Sequence, residues 1–186
     1  CTWISSAMGE GDRLAIEDLP DGALVSPIPG HKLHLKFVVS SRRIYHKFYN
    51  VLCNPLLWFL HHYMWNPPYN PNIDNAIHDA WKNGYSAVNR AFADSILDSI
   101  KNASLRPILL SHDYHLYLVP GFVRDESSEV IIQHYVHVPW PTPRYWQMLP
   151  TYMAEAIYVS LCKADIVGFQ TDQDVQSFLD CVENFM

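Results

Sequence analysis

Short apolar runs alternate along this chain with longer stretches of helical periodicity. Five runs read as strands: Thr2–Ala7, Leu33–Val39, Pro107–Ser111, Val130–Val136 and Asp165–Phe169. The last three are rich in Ile, Val and Leu without strict alternation, the pattern of strands buried on both faces. Between them, Trp81, Tyr85, Val88, Phe92 and Ile96 place one apolar stripe at helical spacing. Thr171-Asp172-Gln173-Asp174 predicts a helix start, with a hydroxyl cap and acids near the positive helix end. Val175, Phe178, Leu179, Val182 and Met186 carry that helical spacing to the last residue with no closing Gly, Asn or Pro. Together with the abrupt apolar start after Cys1, this predicts an excerpt of a longer chain. Pro67, Pro68 and Pro71 predict a rigid surface loop over Asn66–Asn72. Strands alternating with helices predict an α/β layer built on a mostly parallel sheet.

Composition narrows the function classes. The 186 residues suit one domain, and a hydrophobic fraction of 49% supports a sizeable core. Thirteen basic against nineteen acidic residues give 13 − 19 = −6, which argues against nucleic acid as a partner. A phosphorylated small molecule needs only one or two placed cations and stays compatible. Cys1, Cys53, Cys162 and Cys181 form no CxxC pair, so reduced thiols in a cytoplasmic protein are the simple expectation. No apolar run approaches the roughly 18–20 residues that span a bilayer, and no signal-peptide pattern is present.

In open α/β sheets, ligands bind outside the carboxyl ends of the strands. Three polar segments follow the three central strands: His112-Asp113-Tyr114-His115-Leu116, then His137-Val138-Pro139-Trp140-Pro141-Thr142-Pro143-Arg144, then Gln170-Thr171. Carboxylate and imidazole bond hydroxyls, and Tyr and Trp offer flat faces to C–H surfaces, so the first two segments suit a sugar. The prolines of the second would hold it stiff. Each residue has a plainer reading. Asp113 could be a helix N-cap, His112 and His115 packed or surface histidines, and His137 a satisfier of a backbone group at a strand end. Trp58-Phe59-Leu60 and Tyr63 read as core, and Arg144 as solvated or salt-bridged. Neither His61-His62 nor His112 and His115 have metal-site spacing, and no HExxH, GxGxxG, GxxxxGK[ST] or GxSxG occurs. No metal and no resident cofactor is expected.

These residues resemble a known family. His112–Leu116 is similar to the HDYHL segment of trehalose-6-phosphate synthases, and Val136-His137-Val138-Pro139-Trp140-Pro141 to their (L/I)HIPFP segment. Asp165–Thr171 with Ser177-Phe178-Leu179, Phe48-Tyr49-Asn50 with Asn54 to Trp58, and Val88-Asn89-Arg90 to Asp94 resemble further motifs in the same order. The resemblance implies a retaining glycosyltransferase of family 20 with a GT-B fold, two Rossmann-like domains facing across a cleft. Residues 1–186 would be a partial N-terminal acceptor-binding domain, and the donor-binding C-terminal domain would lie outside them.

Carried over by similarity, Tyr49 contacts the acceptor phosphate, Trp58 walls the sugar site and Asp113 binds acceptor hydroxyls near the reacting oxygen. His137 touches the donor sugar and lines the reaction centre, with Val138 beside it. The implied partners are a sugar phosphate and a nucleotide sugar, both substrates, with no membrane and with homo-oligomerisation left open. The implied reaction moves glucose from UDP- or GDP-glucose to glucose 6-phosphate. Trp140 in place of the family's Phe, Pro143 to Pro150 and His62-Tyr63-Met64-Trp65 resemble a divergent branch that includes pseudo-glycosyltransferases joining cyclitol units. A cyclitol phosphate or glycerol 3-phosphate acceptor, a catalytically silent regulatory homologue and a plain sugar-phosphate-binding module therefore stand as alternatives.

Overall fold

The computed structural model describes residues 1–17, 29–30, 33–65 and 72–185. The proline-rich loop expected over Asn66–Asn72 lies, apart from Asn72, outside the described residues, as does Met186. Five strands form within about a residue of the predicted runs: β1 (Thr2–Ser6), β2 (His34–Val38), β3 (Ile108–His112), β4 (Ile131–Tyr135) and β5 (Ile166–Gly168). Seven helical stretches accompany them among the described residues. α1 is Glu10–Glu17. α2 is continuous over Arg42–Tyr45, the π-type stretch His46–Trp58 and Phe59–His61. α3 is likewise continuous over Asn75–Ala80, the π-type Trp81–Ser86 and Ala87–Ile100. A short turn at Tyr114–Leu116 leads to α4 (Val119–Glu126), then α5 (Pro143–Trp146), α6 (Thr151–Leu161) and α7 (Asp172–Phe185).

Local chemistry explains the helix ends. Ser41 Oγ accepts the Ile44 N–H, and Asp74 Oδ1 accepts the N–H groups of Ala76 and Ile77, so each side chain satisfies donors a helix start leaves bare. At α7, Thr171 Oγ1 accepts the Asp174 N–H at 3.2 Å and donates to Asp174 Oδ2 at 2.6 Å, as the predicted cap requires. Pro55 sits inside α2, where it has no N–H to give, and the wide π-type turns around it absorb the missing bond. α2 and α3 cross at Gly84, where a Cβ would stand 2.6 Å from Lys47 Cβ and 2.8 Å from the Phe48 nitrogen. Only glycine permits that approach.

All strand pairs are parallel, as expected, but the strands do not form one ladder. β1 pairs with β2, and β3, β4 and β5 form a second sheet in that order. Among the described residues no hydrogen bond joins the two sheets; β2 is instead tied to α3 by Lys36, which donates to Asp98 and to the Ser95 carbonyl. Apolar runs reveal that strands exist, but pairing depends on which edges meet.

The expectation that the central strands are buried on both faces also needs correction. One face of the larger sheet carries Ser111, Ile132 and His134, all buried. The other carries Ile108, Leu110 and Ile166, which are 66%, 60% and 54% exposed. Behind the buried face lies a core rich in aromatics: Trp140, Trp146, Tyr85, Tyr117 and Tyr158 are fully buried. All four cysteines are free thiols. Among the described residues no helix is long and apolar enough to cross a membrane.

Candidate functional site

The parallel register brings His112, Tyr135 and Gly168 level at the carboxyl ends of three adjacent strands. The chain leaves β3 through Asp113, whose φ of 65° and ψ of 172° lie in a region that is essentially glycine's. Such a backbone costs about 1–3 kcal/mol and persists only where neighbours enforce it. Here they do. The Asp113 N–H donates to the Tyr135 carbonyl at 2.8 Å, and its carbonyl accepts from Leu116 N–H at 3.1 Å. From α3, Tyr85 Oη donates to the Tyr114 carbonyl, while Asn89 donates to the His115 carbonyl and accepts the Leu118 N–H. Asn89 also donates to the Tyr85 carbonyl of its own helix, so its amide ties the turn to α3. The Asp113 side chain makes no cap bond to its own turn, so the N-cap reading does not hold. Its Oδ1 instead accepts the His137 N–H at 3.3 Å.

His137 follows β4. Its Nε2 lies 3.1 Å from His112 Nδ1, and the two rings stack with centroids 5.3 Å apart. Tyr135 meets the His137 ring edge-on, with centroids 4.8 Å apart. Gly168 makes room for that Tyr135 ring, since a Cβ there would come within 2.7 Å of it. Among the described residues the His137 ring bonds no backbone group, so the plainer reading of a strand-end satisfier fails too. Val138 turns its side chain into the core, 6% exposed, and only its main chain is available beside His137.

The segment after His137 is clamped from three directions. Buried His61, on α2, donates from Nδ1 to the Pro139 carbonyl at 2.7 Å and accepts from Tyr117 Oη at Nε2. A carbonyl can only accept, so that pair of bonds fixes the His61 tautomer. Burial first, and then the neighbouring His62, push its pKa down to about 4, against the lift from the Pro139 bond. Tyr63 Oη accepts the Thr142 N–H at 3.0 Å, Asp174 Oδ1 accepts the Trp140 N–H at 2.8 Å, and Gln170 donates to the His137 carbonyl. Beneath the sheet, His134 bonds Ser111 Oγ, and burial drives its pKa down to about 3.

Beside this edge lies an open cavity of about 220 Å³, bordered by Ser6, Tyr45, Tyr49, His112, His115 and Leu116. Tyr49 stacks on His115, centroids 5.7 Å apart and planes 13° apart, and also on Tyr45, centroids 5.6 Å apart. Burial lowers the His115 pKa, so its ring acts there as a neutral aromatic. Trp58 does not border this cavity. It is 38% exposed and packs on Tyr114, which in turn packs on His115.

Asp113, His112 and His137 therefore converge directly; Tyr49 joins them through the cavity, and Trp58 stands one aromatic ring away. The arrangement offers a carboxylate, two imidazoles and flat apolar walls to a hydroxylated ligand. Among the described residues no group of three His, Cys, Asp or Glu is placed to hold a metal ion. Sequence reasoning singled out neither His61, Tyr63 nor Asp174 as supports. Their partners lie far along the chain, and only the capping pattern at Thr171 hinted at Asp174.

Comparison with known proteins adds identity. The sequence profile of glycosyltransferase family 20 matches residues 2–186. Validamine 7-phosphate valienyltransferase from Streptomyces hygroscopicus subsp. jinggangensis is 29% identical over all of this chain and 37% of its own length. Trehalose-6-phosphate synthase from Escherichia coli O1:K1 is 33% identical over 74% of this chain and 27% of its own length. A structure of the Escherichia coli trehalose-6-phosphate protein bound with UDP-2-fluoro glucose superposes with a TM-score of 0.74 at 27% identity, over 98% of this chain and 36% of that one. The chain thus spans about a third of the length of these relatives, and its parallel α/β architecture is that of the N-terminal domain the resemblance implies. With the profile matched from the second residue to the last, the chain belongs to glycosyltransferase family 20.

Proposed function

We propose that this strand edge is the acceptor side of a retaining glycosyltransferase. In the full-length protein it serves transfer of glucose from UDP- or GDP-glucose to glucose 6-phosphate, giving α,α-trehalose 6-phosphate. The observation that carries the reading is Asp113: a carboxylate held on a strained backbone, accepting the N–H of His137 just beyond the next strand. Strain of this kind accumulates where a side chain must be aimed.

In this reading the Asp113 carboxylate accepts hydrogen bonds from acceptor hydroxyls near the attacking oxygen. The His137 ring bonds the donor sugar, and Val138 takes part through its main chain. The Tyr49 hydroxyl reaches the acceptor phosphate, and Trp58 gives the sugar a flat wall. Retention follows from attack on the face the diphosphate leaves. The acceptor oxygen bonds the sugar carbon as the carbon–diphosphate bond breaks, and a diphosphate oxygen takes the acceptor's proton. The protein's share is orientation, worth up to about 10 kcal/mol when reacting groups are held in line. The free cysteines fit a cytoplasmic enzyme.

A cyclitol phosphate acceptor is the second reading. It is favoured by the valienyltransferase, whose similarity extends over the whole chain. A screen of the full-length protein separates the two: nucleotide release is followed with each donor against glucose 6-phosphate, a cyclitol phosphate and glycerol 3-phosphate. If no sugar or cyclitol phosphate supports release, the transferase reading fails. Asp113→Ala is expected to slow transfer about 100-fold, the cost of losing reacting geometry. A rate within a few-fold of the parent would remove Asp113 from the acceptor site.

A further inference from the structure

We propose that His112 is a positioning residue that fixes the tautomer and ring plane of His137, leaving His137 Nδ1 as a hydrogen-bond acceptor for a sugar hydroxyl. The inference rests on reading His137 as a sugar-binding group. It starts from the 3.1 Å between His112 Nδ1 and His137 Nε2. Two imidazole nitrogens at that distance share one hydrogen: one carries N–H and the other presents a lone pair. The tautomers of the two rings are therefore coupled, and two neutral arrangements exist.

In one, His137 Nε2–H donates to His112 Nδ1, and both rings hold the Nε2–H form. In the other, His112 Nδ1–H donates to His137 Nε2, and both rings hold the Nδ1–H form. A free imidazole side chain favours Nε2–H, so the first arrangement satisfies both rings and the second asks both to adopt the less stable form. With Nε2 engaged, His137 Nδ1 keeps its lone pair and has no protein partner among the described residues.

The ring plane is set at the same time. His112 is the last residue of β3, level with Tyr135 on the same sheet face. His112 stacks on the His137 ring while Tyr135 meets it edge-on, and the His137 N–H is held by Asp113. His112 is exposed and bonds nothing else among the described residues. It also borders the cavity beside Tyr49, but the one bond its ring makes among the described residues is to His137.

The test uses full-length protein labelled with ¹⁵N-histidine, at a pH where both rings are neutral. Long-range proton–nitrogen spectra are expected to show His137 with a protonated Nε2 and a bare Nδ1. In His112→Ala this preference relaxes to a solvent-averaged mixture, and kcat falls about tenfold, the worth of one hydrogen bond. His112→Asn, whose amide oxygen stands near the lost Nδ1, restores both the spectrum and most of the rate. A wild-type His137 in the Nδ1–H form overturns the proposal, as does a His112→Ala spectrum unchanged at His137. His137→Ala separates the two levels. If that variant transfers at the parent rate, the sugar-binding reading falls, whatever the spectra show of the coupling.

Discussion

Asp113 holds a conformation that glycine adopts at far lower cost, and it does so in contact with the residues argued to carry the chemistry. Asp113→Gly should therefore be more stable than Asp113→Ala by about 1 kcal/mol in urea unfolding, although both lose transfer. Equal stabilities would mean the backbone is unstrained. Two buried histidines govern acid sensitivity. Burial is the main cause that lowers His61 to about 4 and His134 to about 3, from 6.5. The unfolded chain takes up these protons near pH 6.5, and the folded chain does not. Stability is thus complete above that pH, falls as pH drops below it, and levels off only below the folded values, each histidine contributing a few kcal/mol. Unfolding monitored from neutral pH down to about pH 4 should show this slope, and Tyr117→Phe, which orphans His61 Nε2, should alter it. At this scale sequence goes only part of the way. That Asp113 and His137 would meet was legible because the segments following parallel strands gather at one sheet edge. The φ of Asp113 and the burial of His134 were not, because both depend on neighbours brought in by folding.

The element that places His137 is the segment from His137 to Tyr145. Its prolines suggested a self-stiffened loop, yet its main chain is held by bonds from α2, from the end of β5 and from α7. Asp174 serves twice, capping α7 with Thr171 and accepting the Trp140 N–H. Asp174→Ala should cost about 2 kcal/mol in chemical unfolding, more than a cap alone, because a buried N–H is also left without a partner. A loss of only a few tenths would mean the clamp is replaceable by water. The helix at Asp172 and the apolar stripe from Trp81 were readable, since periodicity and capping are local. The π-type turns of α2 and α3 were not, because they follow from Pro55 and from the crossing at Gly84.

For the molecule as a whole, alternating strands and helices announced a parallel α/β fold, and the strand ends announced which polar groups would gather at one edge. The division into two sheets and the bare face of Ile108, Leu110 and Ile166 stayed hidden, since an apolar run does not say what will cover it. The clamped segment binds residues near 61, 117, 137 and 174 into a single hydrogen-bonded unit. Such a unit cannot open one bond at a time. The amide protons of Trp140 and Thr142, though they belong to a loop, should exchange with deuterium as slowly as that of Ile132 in the central strand, by global rather than local opening. Fast exchange at Trp140 would show that the loop breathes on its own. Slow exchange would mean that the strand-end edge and the fold are lost together, so that no partially unfolded form of this domain keeps that edge intact.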